Sequence, residues 1–188
     1  MTAMTAATVP DWLRPTSHDG WTADDLERLP DELRHVELVE GALRVSPPAT
    51  NPHNIAATAL AARLIVVVDH DWVVSAPGSV RLDARNVREP DVLVLRRSGS
   101  RAKNADPADV LLAVEVMSLS SVTEDRLVKP AHYARAGIPH FWRLEPDDPV
   151  LVTYALDKDV YVETGRFADL VAIDDPVTLA FGLIDLLG

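Results

Sequence analysis

The sequence contains no cysteine. That absence excludes disulfides, thiolate metal sites and a cysteine nucleophile. No apolar run approaches the roughly 18–20 residues a membrane-spanning helix needs. The opening MTAMTAATVP has no basic segment followed by an apolar stretch, so it does not read as a secretory signal. A cytoplasmic chain that does not enter a membrane is the expectation. Positive charge is also scarce: 18 Lys and Arg face 29 Asp and Glu, a formal charge of −11. A protein that coats a polyanion nonspecifically carries a basic footprint, and this one does not. An enzyme that meets nucleic acid through a local basic patch or through a metal ion stays open.

The chain's 188 residues, 47% of them hydrophobic, suffice for one domain with a sizeable core. Residues 1–20 are small, polar and proline-marked, and read as a flexible tail ahead of a single domain over 21–188. TADDLERLP predicts a short helix capped by Thr22 and ended by Pro30. HVELVEGALRVSPP predicts a hairpin turning at Glu40-Gly41. In NPHNIAATALAARLIVVV, Ile55, Leu60, Leu64 and Val67 or Val68 recur at helical spacing, with alanines suited to close packing on a sheet. WVVSAPGSVRL, DVLVL, DVLLAVEVMS, HFWRLEP, LVTYAL and VYVETG read as strands, and SSVTEDRLVKPAHYARAG as a helix ending at Gly137. The apolar tail PVTLAFGLIDLLG is expected to pack back on the sheet. The alternation implies an α/β domain with a mixed sheet.

Acids inside apolar strands carry the functional question. In LLAVEVM, Glu115 shares a strand face with Ala113 and Met117. Asp91 heads the strand Val92–Leu95, 24 positions earlier (115 − 91), so adjacent strands would bring the two carboxylates together. Glu37, between Val36 and Leu38, is a third acid on a strand. A buried carboxylate needs a partner, a metal or a shifted pKa, and convergent carboxylates become favourable around Mg²⁺ or Mn²⁺. A lone acid at a strand end is more often a solvated terminus, and Glu37 sits in an acid-rich neighbourhood. Asp125, Lys129 and Tyr133 are spaced i, i+4, i+8 and share a helix face. Lys129 could reach the strand acids from there, or form a surface ion pair with Asp125. Pro130 disfavours helical geometry at Lys129, which suggests a kink or a helix start. Arg96, Arg97, Arg101 and Lys103 form the one basic cluster, suited to phosphate contacts or to plain solvation.

The segments VELVEG, PPATNPHNIAATAL, EPDVLVL and AVEVMSLSSVTEDRLVKPAHYARAGIPHFWRLEP together resemble the Uma-type restriction-endonuclease-like family of the PD-(D/E)XK nuclease superfamily, from about Trp21 to about Tyr161. The resemblance implies a restriction-endonuclease-like mixed sheet flanked by helices, here with N-terminal and C-terminal hairpin extensions. It implies a Mg²⁺- or Mn²⁺-dependent endonuclease acting on nucleic acid, with DNA as the expected substrate. Asp91 and Glu115 would be metal ligands. Lys129 would serve as the catalytic lysine, because the superfamily's usual position, two residues after the second acid, holds Met117. Glu37 would be an accompanying catalytic acid, and His53, Arg96 and Arg97 would contact substrate. By analogy the enzyme would act as a homodimer. The family's Ser-Pro-Ser-Thr turn is here Ser118-Leu119-Ser120-Ser121. The rival expectation is a catalytically inactive nuclease-fold domain serving as a regulatory or protein-binding module.

Overall fold

The structure, a computed structural model, describes residues 10, 13–30, 36–118 and 124–187. It opens with helix α1 (Ala23–Glu27). The Thr22 hydroxyl accepts from the Asp25 amide and the Asp25 carboxylate accepts from the Thr22 amide, a reciprocal cap that starts the helix. The same carboxylate accepts from the Thr16 hydroxyl at 2.7 Å, so the segment just before the helix is fastened to it.

Strands β1 (Val36–Val39) and β2 (Ala42–Val45) form the expected hairpin. Glu40 and Gly41 both have positive φ, 49° and 80°, the two-residue turn whose twist matches antiparallel strands. With β4 (Val80–Arg81) and β5 (Val87–Arg88) the hairpin makes a four-stranded sheet in the order β2-β1-β5-β4.

The main sheet has six strands: β3 (Trp72–Ser75), β6 (Val92–Arg96), β7 (Val110–Val116), β8 (His140–Glu145), β9 (Val150–Asp157) and β10 (Val160–Phe167). Their order is β10-β9-β8-β7-β6-β3. Only β7 and β8 run parallel in it; the other neighbours are antiparallel. The sheet is mixed, as the alternation implied.

Both faces of the sheet's central strands are covered, which is why β6 and β7 read as unbroken apolar runs. Val92, Val94, Leu112, Val114 and Val116 pack with helix α2 (Asn51–Val67). The C-terminal hairpin of β11 (Leu170–Ile173) and β12 (Leu179–Gly182) joins that layer. The buried stripe of α2 is Ala56, Ala57, Leu60, Ala61 and Leu64. Its alanines bring the helix close to the sheet. Ile55, expected on the inner face, points outward and is partly exposed; of the two alternatives at the end of the stripe, Val67 is exposed and Val68 packs against the core.

The opposite face carries Leu93, Leu95, Ala113 and Phe141, and is covered by helix α3 (Lys129–Arg135). A parallel pair needs a crossover, and the chain between β7 and β8 supplies it. One wide turn, Glu124–Val128, leads into α3 at Lys129. Pro130 therefore occupies the first turn of a helix, where no backbone donor is lost. Gly137, at φ 81°, ends it. Among the described residues no helix is long and apolar enough to cross a membrane.

Candidate active site at the strand ends

Asp91 stands at the head of β6 and Glu115 near the end of β7. The register pairs Val92 with Val114, so one further step sets Asp91 beside Glu115. The Val116 amide donates to Asp91 Oδ2 at 2.7 Å, which pins this carboxylate to the backbone next to Glu115. Because β7 lies between β6 and β8, Glu115 cannot turn to an open edge, and it is 1% exposed.

Alternation along β7 puts Glu115 on the same face as Ala113, beneath the crossover helix. Lys129 and Tyr133, one turn apart, both reach it. Lys129 Nζ donates to Glu115 Oε2 at 2.6 Å, and the Tyr133 hydroxyl donates to Oε1 at 2.6 Å. Asp125, also buried, lies 3.3 Å from Lys129 Nζ. Thus the i, i+4, i+8 face of Asp125, Lys129 and Tyr133 converges on one strand carboxylate. Tyr133 is one of its two hydrogen-bond donors.

The cluster holds more acids than bases, and its titration follows from that. Burial pushes the Glu115 carboxyl well above its ordinary range; Lys129 opposes this, while Asp91 and Asp125 add to it. For Lys129, burial alone would lower the pKa. The surrounding Glu115, Asp125, Glu37 and Asp91 outweigh burial and hold the ammonium firmly charged. Burial, then the Glu115 charge, raises the Tyr133 phenol well above its usual value. The hydroxyl accordingly acts as a donor.

His53, in the first turn of α2, brings Nε2 to 3.2 Å from Asp91 Oδ2. The hydrogen bond with Asp91 raises the imidazole pKa against the lowering effect of burial. The N-terminus of α2 thus meets the strand ends from the other side of the sheet.

Glu37 lies next to this group but engages a different partner. Its Oε2 is 3.2 Å from Arg88 Nη1, and its Oε1 accepts from the Glu89 amide at 3.0 Å. Arg88 is fully buried. It also pairs with Glu124 at 2.9 Å and meets His132 Nδ1 at 3.1 Å. Glu124 begins the turn that leads to Lys129, so Arg88 ties the small sheet to the crossover. Sequence reasoning missed Arg88, which stands at the end of a two-residue strand in a run of mixed charges.

Arg96 and Arg97 are not brought to the acids. Arg96 ends β6 and Arg97 follows it, about 16 and 20 Å along the chain from Asp91 at roughly 3.3 Å per residue. Arg96 stacks over Trp72 with its guanidinium 4.7 Å from the ring centre. Arg97 donates to the His70 and Trp72 carbonyls. Leu119, Ser120 and Ser121 of the serine-rich turn lie outside the described residues.

Asp91 and Glu115 are the side chains that could share a cation. Among the described residues no three His, Asp or Glu side chains converge as a metal cage would. Two carboxylates still fit Mg²⁺, which is commonly held by one or two carboxylates and otherwise keeps water and phosphate oxygens.

A family model described as Uma2, "Putative restriction endonuclease", matches residues 23–186. Among solved structures, the fold resembles that of "a putative nuclease belonging to DUF820" from Anabaena variabilis ATCC 29413. The TM-score is 0.67 at 19% identity, covering 88% of this chain and 97% of that one. No curated protein matches the chain.

Proposed function

The chain belongs to the Uma2 family of restriction-endonuclease-like proteins, and from that membership we propose that it is a metal-dependent endonuclease hydrolysing phosphodiester bonds in DNA. The observation that carries the reading is the buried contact of Lys129 with Glu115, beside Asp91, at one end of the central strands. Burying such a group of charges is costly, and groups of this kind concentrate at functional sites.

In this reading Asp91 and Glu115 hold Mg²⁺ or Mn²⁺. Held there, the ion would supply charge neutralisation at a phosphate and acidification of a water. Lys129 stays protonated, so it acts as a cation toward the developing phosphate charge and not as a base. Tyr133 and Asp125 fix where Lys129 and Glu115 point. His53, beside Asp91, is the group at the site suited to accept a proton near neutral pH or to touch a phosphate. Glu37 acts through Arg88 to hold the turn before Lys129, a positioning role. Cutting both strands of a duplex with one such site per chain calls for two copies or two encounters.

One observation favours a non-catalytic module: both Glu115 oxygens are already engaged, by Lys129 and Tyr133. Calorimetric titration with Mn²⁺ separates the readings. An endonuclease should bind the ion, and Asp91→Ala should abolish the heat. A wild-type chain that gives no heat would favour the module.

A further inference from the structure

Helix α3 has a second face. Its first face carries Lys129 and Tyr133 toward Glu115. Behind it, Pro130, Ala131, Ala134 and Arg135 border a groove of about 430 Å³. The groove's far wall is aromatic. Phe141 stacks between Tyr154 and Tyr161, with ring centres 5.7 and 5.5 Å away. The Tyr161 hydroxyl donates to the Ile138 carbonyl at 2.8 Å, which fixes that ring.

Three arginines surround these rings. Arg143 lies 5.7 Å over the Tyr154 ring and pairs with Glu145 at 2.9 Å. Arg126 shares the same Glu145, yet half of its side chain is exposed at the groove. Arg135 is two-thirds exposed, with only a loose 3.9 Å approach to Glu40. Three guanidiniums and one carboxylate, Asp159, line the groove; outside that lining, Arg126 and Arg143 pair with Glu145 and Arg135 approaches Glu40. The lining itself therefore carries more positive than negative charge, in a chain of charge −11, which suits an anionic occupant.

We propose that this groove binds a single-stranded stretch of nucleic acid, with a base against the Tyr154 and Tyr161 rings and flanking phosphates on Arg126 and Arg135. Aromatic faces beside exposed arginines are the recognition chemistry of unpaired bases. The proposal rests on the nucleic-acid reading above. It adds where a strand runs after leaving the acids: around one helix, about 10–12 Å thick.

The test is fluorescence anisotropy of a short labelled oligothymidylate with the full chain in EDTA, titrated with salt. Wild type should bind. Arg126→Ala/Arg135→Ala should flatten the slope of log K against log salt by about 1.4, at about 0.7 for each phosphate that the arginines no longer neutralise. Tyr154→Leu should weaken binding about tenfold while leaving the slope unchanged. Arg96→Ala/Arg97→Ala, at the far end of the sheet, should match wild type. No binding by wild type at low salt, or equal losses in both arginine pairs, overturns the proposal. So does polyglutamate competing as well as the oligonucleotide, since charge alone would then explain the binding. Plasmid cleavage measured on the same preparations keeps the two ideas apart. Cleavage without oligonucleotide binding removes the groove and leaves the nuclease, and binding without cleavage does the reverse.

Discussion

Replacing Lys129 by Met removes the cation from a buried cluster and keeps most of the side-chain volume. The ammonium lies 2.6 Å from Glu115 and 3.3 Å from Asp125, and these carboxylates are 1% and 3% exposed. Without it both acids stay in a low-dielectric site with one cation fewer. Breaking a buried pair in this way costs about 3–5 kcal/mol. For a domain of this size, at about 2–4 °C per kcal/mol, the melting temperature should fall by about 6–20 °C. The penalty exists only while the acids are ionised, so the gap between variant and wild type should narrow as pH falls. Adding Glu115→Gln should restore part of the loss, and a double-mutant cycle should return a coupling of about 0.5–3 kcal/mol. Mg²⁺ should stabilise Lys129→Met more than wild type, because no ammonium then competes for Glu115. Urea denaturation followed by circular dichroism measures all of this. A loss below about 1 kcal/mol at unchanged m-value, with no coupling to Glu115, would refute the reasoning and place the lysine in solvent.

Arg88→Met strips Glu37 and Glu124 of a fully buried partner, and thermal melting should show a loss of about 3–5 kcal/mol; a loss under about 1 kcal/mol would mean water replaces it. Leu60→Ala empties a fully buried site on the inner stripe of α2 and should cost about 2–5 kcal/mol in urea, whereas Ile55→Ala, on the outer side, should cost under about 1 kcal/mol. Burial, then the Arg88 charge, lowers the pKa of His132, and burial lowers that of His140. Both favour the neutral ring in the fold, so their stability is present above the ordinary value of about 6.5 and is lost as pH falls below it. The difference in melting temperature between wild type and His132→Asn should therefore shrink through that window; a constant difference would deny the coupling.

Much of the fold is legible in the sequence because the central strands are covered on both faces. That coverage forces unbroken apolar runs at Val92–Leu95 and Val110–Val116, and it makes an acid at position 115 conspicuous. The spacing of Asp125, Lys129 and Tyr133 is likewise readable, since one helix face must meet one surface. What Pro130 does was not readable, because a proline before a helix and a proline within one look alike until the wide turn at Glu124–Val128 is seen. Arg88 escaped for another reason. Its partners Glu37, Glu124 and His132 lie 36 to 51 positions away (88 − 37, 124 − 88, 132 − 88), and no local pattern relates them. Arg96 and Arg97 belong to a basic cluster whose distance from the acids the sequence does not show, since the strand that begins at Asp91 carries them to the sheet's other end. Ile55 misled because the inner face of α2 is built mostly from alanine, and a search for large apolar residues rotates the stripe.

Asp91 and Glu115, in the central claim, serve one metal-dependent hydrolysis. Incubation of supercoiled plasmid with the purified chain in Mn²⁺, Mg²⁺ or EDTA tests it most directly. Nicked or linear product should form with either ion and not in EDTA, and Asp91→Asn and Glu115→Gln should each lower the rate by at least about a hundredfold while remaining folded. Cleavage that persists in both variants, or plasmid left intact by the wild-type chain with either metal, would contradict the claim.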